Sequence, residues 1–298
     1  DKSDSHKNRT KRSLEKDLFP SLGRRPISKI TAKELLSVLL KIESRSVDMA
    51  HRAKQTAGLV LRYAIASGRT ERDVSQDLLG ALKLNSTQHL AAITNPSEVG
   101  ILMDAIDGYK GTIVVKTALS LSAMLFQRPG EIRHMEWVEI NWDENRWEIP
   151  ASKMKMKSDH IVPLSTQVRT LLSELFKLTG QGKYVFPSAR GDSRPLSENG
   201  VRTALRAMGY DNNTMTPHGF RAMARTILDE VLNFRLDFIE HQLAHAVKDP
   251  NGRAYNRTAH LDARRHMMQS WADYLDLLRQ TSVSNGDVQF TVRPKISQ

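Results

Sequence analysis

The chain has 298 residues and a mass near 33.7 kDa, which is long enough for two domains with separate cores. Its 40% hydrophobic and 26% charged residues are typical of a globular protein, and no apolar run approaches the roughly eighteen residues that a membrane span requires. The lack of cysteine excludes disulfides, thiolate metal sites and cysteine nucleophiles, and it fits a cytosolic protein.

Basic residues outnumber acidic residues along the chain. The 44 Lys and Arg residues exceed the 33 Asp and Glu residues, which gives a formal net charge of +11 at pH 7. Residues 1–90 contain 18 of the basic and 10 of the acidic residues, so most of the surplus lies in the first third. A positive field of this size favours polyanionic partners, nucleic acid above all, although a solvated basic surface is the alternative interpretation.

The first third of the chain has the pattern of a small, basic, helical module. Thr31 and Glu34 have capping-box spacing ahead of a leucine-rich stretch. Ser46 can cap a longer helix with an alanine-rich apolar side, and Gly68 suits the C-terminal end of that helix. The other side of this helix is predicted to present three basic residues: Arg45, Arg52 and Lys54.

A polar segment at residues 85–97 contains the turn-forming pair Asn95-Pro96 and is the predicted linker between two domains. Beyond it, an apolar helix is predicted at residues 114–126, and two short strands, 147–150 and 160–164, flank a lysine-rich turn. Five further helices are predicted at residues 166–178, 197–208, 218–232, 237–245 and 261–278. The second domain is therefore expected to be mainly α with a small β-sheet.

Three groups of reactive residues lie far apart in this second domain, and each is ambiguous by itself. The first, Arg128-Pro129-Gly130-Glu131, follows the apolar helix and could equally be a surface turn with an ion pair. In the second, His218 and Arg221 have the spacing to share one face at a helix N-terminus, where both could reach a single anion. The third contains His245 and, ten residues later, Tyr255.

Other chemistries have weaker support in the sequence. His241 and His245 have i,i+4 spacing, but Gln242 stands where a metalloprotease helix carries glutamate, and we expect no metal site. The sequence has no glycine-rich phosphate loop, so an ATP-driven motor is not expected. It also has no carboxylate cluster typical of a two-metal nuclease.

The order of these groups resembles that of the tyrosine recombinases, in particular the phage-type integrases of satellite prophages and genomic islands. The resemblance extends over most of residues 93–278 and rests on the following stretches: Arg128-Pro129-Gly130-Glu131-Ile132-Arg133, Ile149-Pro150-Ala151, Lys153-Met154-Lys155-Met156, His160-Ile161-Val162-Pro163-Leu164, Tyr184-Val185-Phe186-Pro187, Arg194-Pro195-Leu196-Ser197, His218-Gly219-Phe220-Arg221, Gln242-Leu243-Ala244-His245, Ala254-Tyr255-Asn256-Arg257 and Trp271-Ala272-Asp273-Tyr274-Leu275. Two positions depart from the family pattern, because Gln127 and Ala244 stand where many relatives have glycine.

The resemblance implies a nucleophile and a phosphate clamp. Tyr255 would attack a DNA phosphodiester and form a 3′-phosphotyrosyl bond, releasing a 5′-hydroxyl. Arg128 and Arg221 would hold the non-bridging oxygens, a task that suits the planar, permanently charged guanidinium group. Since the covalent bond retains the energy of the bond that was broken, neither ATP nor a metal or other cofactor is expected.

The resemblance also implies the groups that move protons. Lys155 would protonate the leaving oxygen, although its neighbours Lys153 and Lys157 compete for this assignment. His218 would take the tyrosine proton and His245 would donate to the phosphate. Glu131 is expected to orient the cluster from behind the phosphate-contacting residues.

The domain organisation follows from the same resemblance. Residues 1–88 would form the helical core-type DNA-binding domain, with Arg45, Arg52 and Lys54 touching DNA, and residues 89–280 the mixed α/β catalytic domain. Together they would close around DNA as a two-domain clamp. Residues 281–298 would be a tail exchanged between protomers. Because the chain begins at Asp1, we expect the family's N-terminal arm-binding domain to be missing.

The implied partners are double-stranded DNA attachment sites, three further copies of the chain in a homotetramer on synapsed DNA, and accessory proteins that bend DNA or set the direction of excision. Two other functions remain open at this point. A type IB topoisomerase shares the chemistry but would relax DNA without a partner site, and a non-enzymatic regulator could be built from a degenerate recombinase.

Overall fold

The computed structural model describes residues 4–85, 90–245 and 260–284. The chain divides into two compact units, Asp1–Gln88 and His89–Gln298, and each has its own hydrophobic core. Across the described residues, every helix is too short or too polar to cross a lipid bilayer.

The first unit is entirely helical in its described part. Its helices are α1 (Asp4–Ser13), which continues through a π-helical turn (Leu14–Leu18), α2 (Phe19–Leu22), α3 (Ala32–Glu43) and α4 (Val47–Ala66), with short 3₁₀ turns at Ile27–Lys29 and Gln76–Leu78. Sequence patterns provided no specific prediction for the helices at residues 4–22. The core lies between α3 and α4, where leucine side chains meet a row of small alanines.

The predicted ends of α3 and α4 are confirmed. The backbone nitrogen of Glu34 donates to Oγ1 of Thr31 (3.3 Å), and the backbone nitrogen of Thr31 donates to Oε2 of Glu34 (2.9 Å), which completes the capping box. Ser46 Oγ accepts from the backbone nitrogen of Met49 (3.3 Å) at the start of α4. Gly68 follows the end of α4 with φ +69°, a left-handed conformation that glycine adopts without steric cost.

The second unit is mainly α with small sheets, as predicted. Its helices are α5 (Pro96–Asp107), α6 (Ile113–Leu125), α7 (Pro129–Arg133), α8 (Thr166–Thr179), α9 (Gly200–Ala207), α10 (Gly219–Glu230), α11 (Leu236–Gln242) and α12 (Leu261–Ser284). Strands β1 (Ile140–Asn141), β2 (Arg146–Ile149) and β3 (His160–Pro163) form an antiparallel sheet in that order, and β4 (Pro187–Ser188) pairs with β5 (Gly191–Pro195). In the larger sheet Trp147 of β2 stands opposite Val162 of β3.

Among the predicted boundaries that differ from the structure, three bear on the domain organisation and the site. The predicted linker extends too far, because Asn95 caps α5 by accepting from the backbone nitrogen of Ser97 (3.0 Å) and Pro96 occupies the first helical position. The predicted tail begins too early, since α12 continues to Ser284. The helix predicted at residues 237–245 ends at Gln242.

Helix α6 is the centre of the second unit, and every residue in its last nine positions is buried. Helix α12 packs against it, with Nε1 of Trp271 donating to the carbonyl oxygen of Ala123 (3.0 Å). Helix α12 also approaches α5 closely at Gly100, where a Cβ atom would overlap the carbonyl oxygen of Leu278. The buried end of α6 leads directly into the segment that carries Arg128.

Candidate active site

Arg221, in the first turn of α10, is hydrogen bonded to the segment that ends α6 and to the turn that follows α11. Its guanidinium group donates from Nη1 to the carbonyl oxygen of Phe126 (3.0 Å), at the end of α6, and from Nη2 to that of Leu243 (2.7 Å), just after α11. Nη2 also lies 3.1 Å from Nε2 of His245. Burial and the nearby charge of Arg128 lower the pKa of Arg221 to about 10, which still leaves it charged at neutral pH.

Arg128 reaches the same turn from the other side. Its Nη1 nitrogen is 2.8 Å from Oε1 of the buried Glu131, whose other oxygen accepts from the Arg128 backbone nitrogen (2.9 Å). Its Nη2 nitrogen donates to the carbonyl oxygen of Ala244 (3.4 Å). Glu131 therefore fixes both the backbone and the side chain of Arg128.

His245 is oriented by Glu240, a residue that sequence reasoning missed. Nδ1 of His245 lies 2.5 Å from Oε2 of Glu240, and Oε1 of Glu240 accepts from Nε of Arg225 (2.7 Å). Because a carboxylate can only accept and a guanidinium can only donate, the hydrogen is on Nδ1 and Nε2 accepts from Arg221. Burial raises the pKa of the Glu240 carboxyl, but the hydrogen bonds from His245 and Arg225 outweigh this and keep it below its usual value.

His218 lies at the residue that precedes α10. The next residue, Gly219, packs closely against the backbone, because a Cβ atom there would lie 2.5 Å from the carbonyl oxygen of Ala91. Desolvation is the largest cause that lowers the pKa of His218, and three cationic groups lower it further: Arg221, Arg128 and Lys155. The sequence-predicted cationic residues are thus close enough for their charges to act on one imidazole, which is held neutral at pH 7.

The three lysines between β2 and β3 have different surroundings. Lys153 is partly buried and pairs with Glu136 (2.6 Å) and Glu139, and its ammonium group also donates to the carbonyl oxygen of His134 (2.9 Å). Lys155 is exposed and has no hydrogen bond or ion pair with the described residues. Lys157 occupies a left-handed turn position with φ +57°. Lys153 is therefore committed to anchoring the turn.

The spacing of His241 and His245 does not place them on one helical face. Helix α11 ends at Gln242, and Ala244 has φ +49°, so the chain turns before His245. In the described part of the chain, no group of three His, Asp or Glu side chains could hold a metal ion. The left-handed conformation of Ala244 disfavours alanine relative to glycine by about 1 kcal/mol.

Arg45, Arg52 and Lys54 do not share one surface, which corrects the sequence prediction. Arg45 pairs with Asp17 (2.9 Å) and Arg52 with Asp48 (2.9 Å). Both arginines line a groove of about 1020 Å³ that is also lined by Arg9, Arg12 and Lys16. Lys54 lies two residues further along α4, and its ammonium group donates to the carbonyl oxygen of Leu78 (2.6 Å).

Tyr255 lies outside the described residues, and so does most of the predicted exchange tail, residues 285–298. In sequence, Tyr255 stands between the turn that contains His245 and the first residue of α12.

Comparisons with known proteins cover both units. The profile of the phage integrase central domain matches residues 1–81, and that of the phage integrase family matches residues 93–260. The integrase of Enterobacteria phage P4 is 36% identical over 97% of this chain and 69% of its own length. Prophage integrase IntZ of Escherichia coli (strain K12) is 35% identical over 92% of this chain and 67% of its own length.

The fold is shared with solved recombinase structures. A lambda integrase dimer bound to a COC′ core site superposes with a TM-score of 0.66 at 17% identity, covering 86% of this chain and 93% of that one. A Tn1549 transposon integrase in complex with circular intermediate DNA gives a TM-score of 0.62 at 13% identity, over 88% and 94%. The family match over more than half of the sequence, together with relatives above 30% identity, shows that the chain belongs to the phage integrase family of tyrosine-type site-specific recombinases.

Proposed function

We propose that the chain cleaves and rejoins double-stranded DNA at the attachment sites of a mobile element, with Tyr255 as the nucleophile. The Tyr255 oxygen would attack phosphorus, so that a 3′-phosphotyrosyl bond forms while the bond from phosphorus to the 5′ oxygen breaks. Religation to another strand reverses these steps. The proposal depends above all on the convergence of Arg128, Arg221 and His245 on the turn after α11.

The two arginines would bind the non-bridging oxygens of the scissile phosphate. Negative charge accumulates on these oxygens as the fifth bond to phosphorus forms, so fixed positive donors stabilise the transition state more than the ground state. Glu131 would act as a positioning residue because it holds Arg128 at two points.

Proton transfer would use His218 and Lys155. A neutral His218 can accept the proton of the Tyr255 hydroxyl, and the lowered pKa of His218 supports this role. Lys155 would give a proton to the departing 5′ oxygen, so the proton removed at one oxygen is balanced by the one supplied at the other. The separate engagement of Lys153 with two glutamates supports the choice of Lys155.

His245 would donate a hydrogen bond to the phosphate from Nε2, which lies beside the Arg221 guanidinium. For this the imidazole must take up a second proton and the Arg221 N–H that it now accepts must turn to the phosphate; the Glu240 carboxylate lies where it can balance the added charge. We infer that neither metal nor ATP is required, because the phosphotyrosyl bond conserves the bond energy.

We further propose that residues 1–88 form a core-type DNA-binding domain, that residues 89–280 form the catalytic domain, and that both contact the same duplex. The active assembly would be a homotetramer on two synapsed sites, with residues 281–298 exchanged between protomers and with accessory DNA-bending and directionality proteins. Such an enzyme would work in the bacterial cytoplasm, at the nucleoid.

A covalent trapping experiment tests this function. The chain is incubated in EDTA with a labelled, nicked duplex from the ends of the element that encodes it, and the products are separated on a denaturing gel. A slow-migrating adduct is expected for the wild type and not for Tyr255→Phe. If both proteins bind the duplex and neither forms an adduct, the proposed mechanism is wrong.

A further inference from the structure

Gln242, the last residue of α11, is hydrogen bonded through its backbone to two other segments of the site. Its carbonyl oxygen accepts from Nε2 of Gln127 (2.8 Å) and from Nε2 of His160 (3.1 Å). Gln127 immediately precedes Arg128, and His160 begins β3, the strand that follows the turn with Lys155. Gln127, His160 and Gln242 are all buried.

The side chain of Gln242 makes a second set of bonds. Its Oε1 oxygen accepts from Nε (3.0 Å) and Nη2 (2.7 Å) of Arg264, and Nη2 also donates to the carbonyl oxygen of Ile161 in β3. Arg264 is completely buried in the first turns of α12, nine residues after Tyr255 in sequence. Gln242 therefore bonds to residues from the Arg128 segment, the lysine hairpin and the helix that follows the nucleophile.

We propose that Gln242 and Arg264 form a positioning pair, which keeps the turn that binds Arg128 and Arg221 in register with β3 and α12; this inference rests on the proposed function. Gln242 is followed directly by Leu243 and Ala244, whose carbonyl oxygens accept from Arg221 and Arg128. A displacement of Gln242 would therefore move the acceptors of both clamp arginines together.

The chemistry of the pair argues against a merely space-filling role. Burial of a guanidinium group is unfavourable unless its N–H groups find acceptors, and an apolar pair of similar volume stabilises a core at least as well. The pKa of His160 falls to about 3 through burial and the charge of Arg264, so Arg264 contributes its charge beside a neutral imidazole. A directional network of this kind fixes orientation, which apolar packing does not.

The decisive variant is the double substitution Gln242→Met with Arg264→Met in the full chain. It removes the side-chain bonds of the pair together and keeps the Gln242 carbonyl oxygen, so neither a buried amide nor a buried guanidinium loses its partner and the apolar replacement can preserve stability. We measure single-turnover adduct formation on the nicked duplex, binding to the same duplex in a Tyr255→Phe background, and the midpoint of thermal unfolding. Leu172→Ala is the matched control, because Leu172 is fully buried in α8, which carries no proposed catalytic residue.

We expect the double variant to unfold near the wild-type temperature, to bind DNA as the wild type does, and to form adduct about 10- to 100-fold more slowly. Leu172→Ala should lower the unfolding temperature and keep the wild-type rate. Gln127→Leu removes the bond to the Gln242 carbonyl oxygen and leaves the buried Arg264 guanidinium paired. This variant should also form adduct more slowly than the wild type, and it tests the proposal if the double variant does not fold. A wild-type rate in either folded variant overturns the proposal, whereas an inactive wild type would overturn the proposed function instead.

Discussion

The Nδ1 nitrogen of His245 lies 2.5 Å from the carboxylate of Glu240, so the orientation of this histidine is set by a residue five positions earlier in the chain. The bond turns Nε2 toward the Arg221 guanidinium. A histidine on a turn, beyond the end of α11, is thereby held in one orientation by hydrogen bonds at both ring nitrogens.

Glu240→Gln should slow adduct formation about tenfold, because the amide keeps the shape of the carboxylate but cannot balance a positive imidazole. The rate is measured under single-turnover conditions with saturating DNA. Glu174→Gln is the matched control, since Glu174 is exposed on α8. Equal rates for Glu240→Gln and the wild type would show that the carboxylate charge is not used.

Arg221→Lys should reduce the cleavage rate by about 10²- to 10³-fold, which corresponds to roughly 2.7–4 kcal/mol of transition-state stabilisation. Lysine keeps the charge but cannot donate to two phosphate oxygens and two carbonyl oxygens at once. DNA affinity should change little. Arg202→Lys, at an exposed position in α9, should retain the wild-type rate. A similar decrease in both variants would show that the loss is not specific to Arg221.

Lys155 and Lys153 should fail in different ways. The Lys155→Ala variant should not cleave an ordinary duplex. It should cleave a duplex in which sulfur replaces the scissile 5′ oxygen, because a thiolate leaves without a proton. Lys153→Met should instead lower the free energy of unfolding by about 1–3 kcal/mol, since it removes the ammonium group that Glu136 and Glu139 share and leaves Glu136 only its longer contact with Lys183 (3.5 Å). Rescue of Lys153→Met by the sulfur substrate would reverse the assignment.

Acid should destabilise the second unit through His160. The pKa of this imidazole is lowered from 6.5 to about 3 by burial and by Arg264, so between these values the unfolded chain binds a proton that the folded chain does not. The free energy of unfolding should therefore fall as the pH decreases below 6.5, by up to about 1.4 kcal/mol per pH unit. His160→Gln should show a shallower decrease in denaturant titrations; parallel curves for the two proteins would contradict this.

The basic groove of the first unit should contribute to DNA affinity through Arg45 and Arg52. Replacing both with glutamine should weaken binding and reduce the slope of log K against log salt by about 0.9 for each DNA phosphate that is no longer neutralised. Lys54→Gln is the control, because Lys54 does not line this groove and its ammonium group donates to the carbonyl oxygen of Leu78. If only Lys54→Gln reduced the slope, DNA would bind on the surface that carries Lys54 and not in the groove.

Features that depend on neighbours in sequence could be predicted. The capping box of Thr31 and Glu34, the cap at Ser46 and the left-handed Gly68 each involve residues within one helical turn. The family motifs were also sufficient to identify the arginines that meet at the turn after α11.

Features that depend on distant partners could not be predicted. The sequence does not show which residues Gln242 and Arg264 bond to. Gln127, for example, lies 115 positions from Gln242 and still donates to its carbonyl oxygen. The helix predicted at residues 237–245 was too long for a related reason. Alanine at position 244 gives no sign in the sequence that α11 has already ended.

The carbonyl oxygens that accept from Arg128 and Arg221 have a thermodynamic consequence for the encounter with DNA. Each arginine side chain has about 2 kcal/mol of rotamer entropy to lose when it is ordered. Here the bonds to Phe126, Leu243 and Ala244 order both side chains as the protein folds, before any phosphate arrives. In the proposed mechanism this entropy is lost during folding, so it does not reduce the affinity of the two arginines for the transition state.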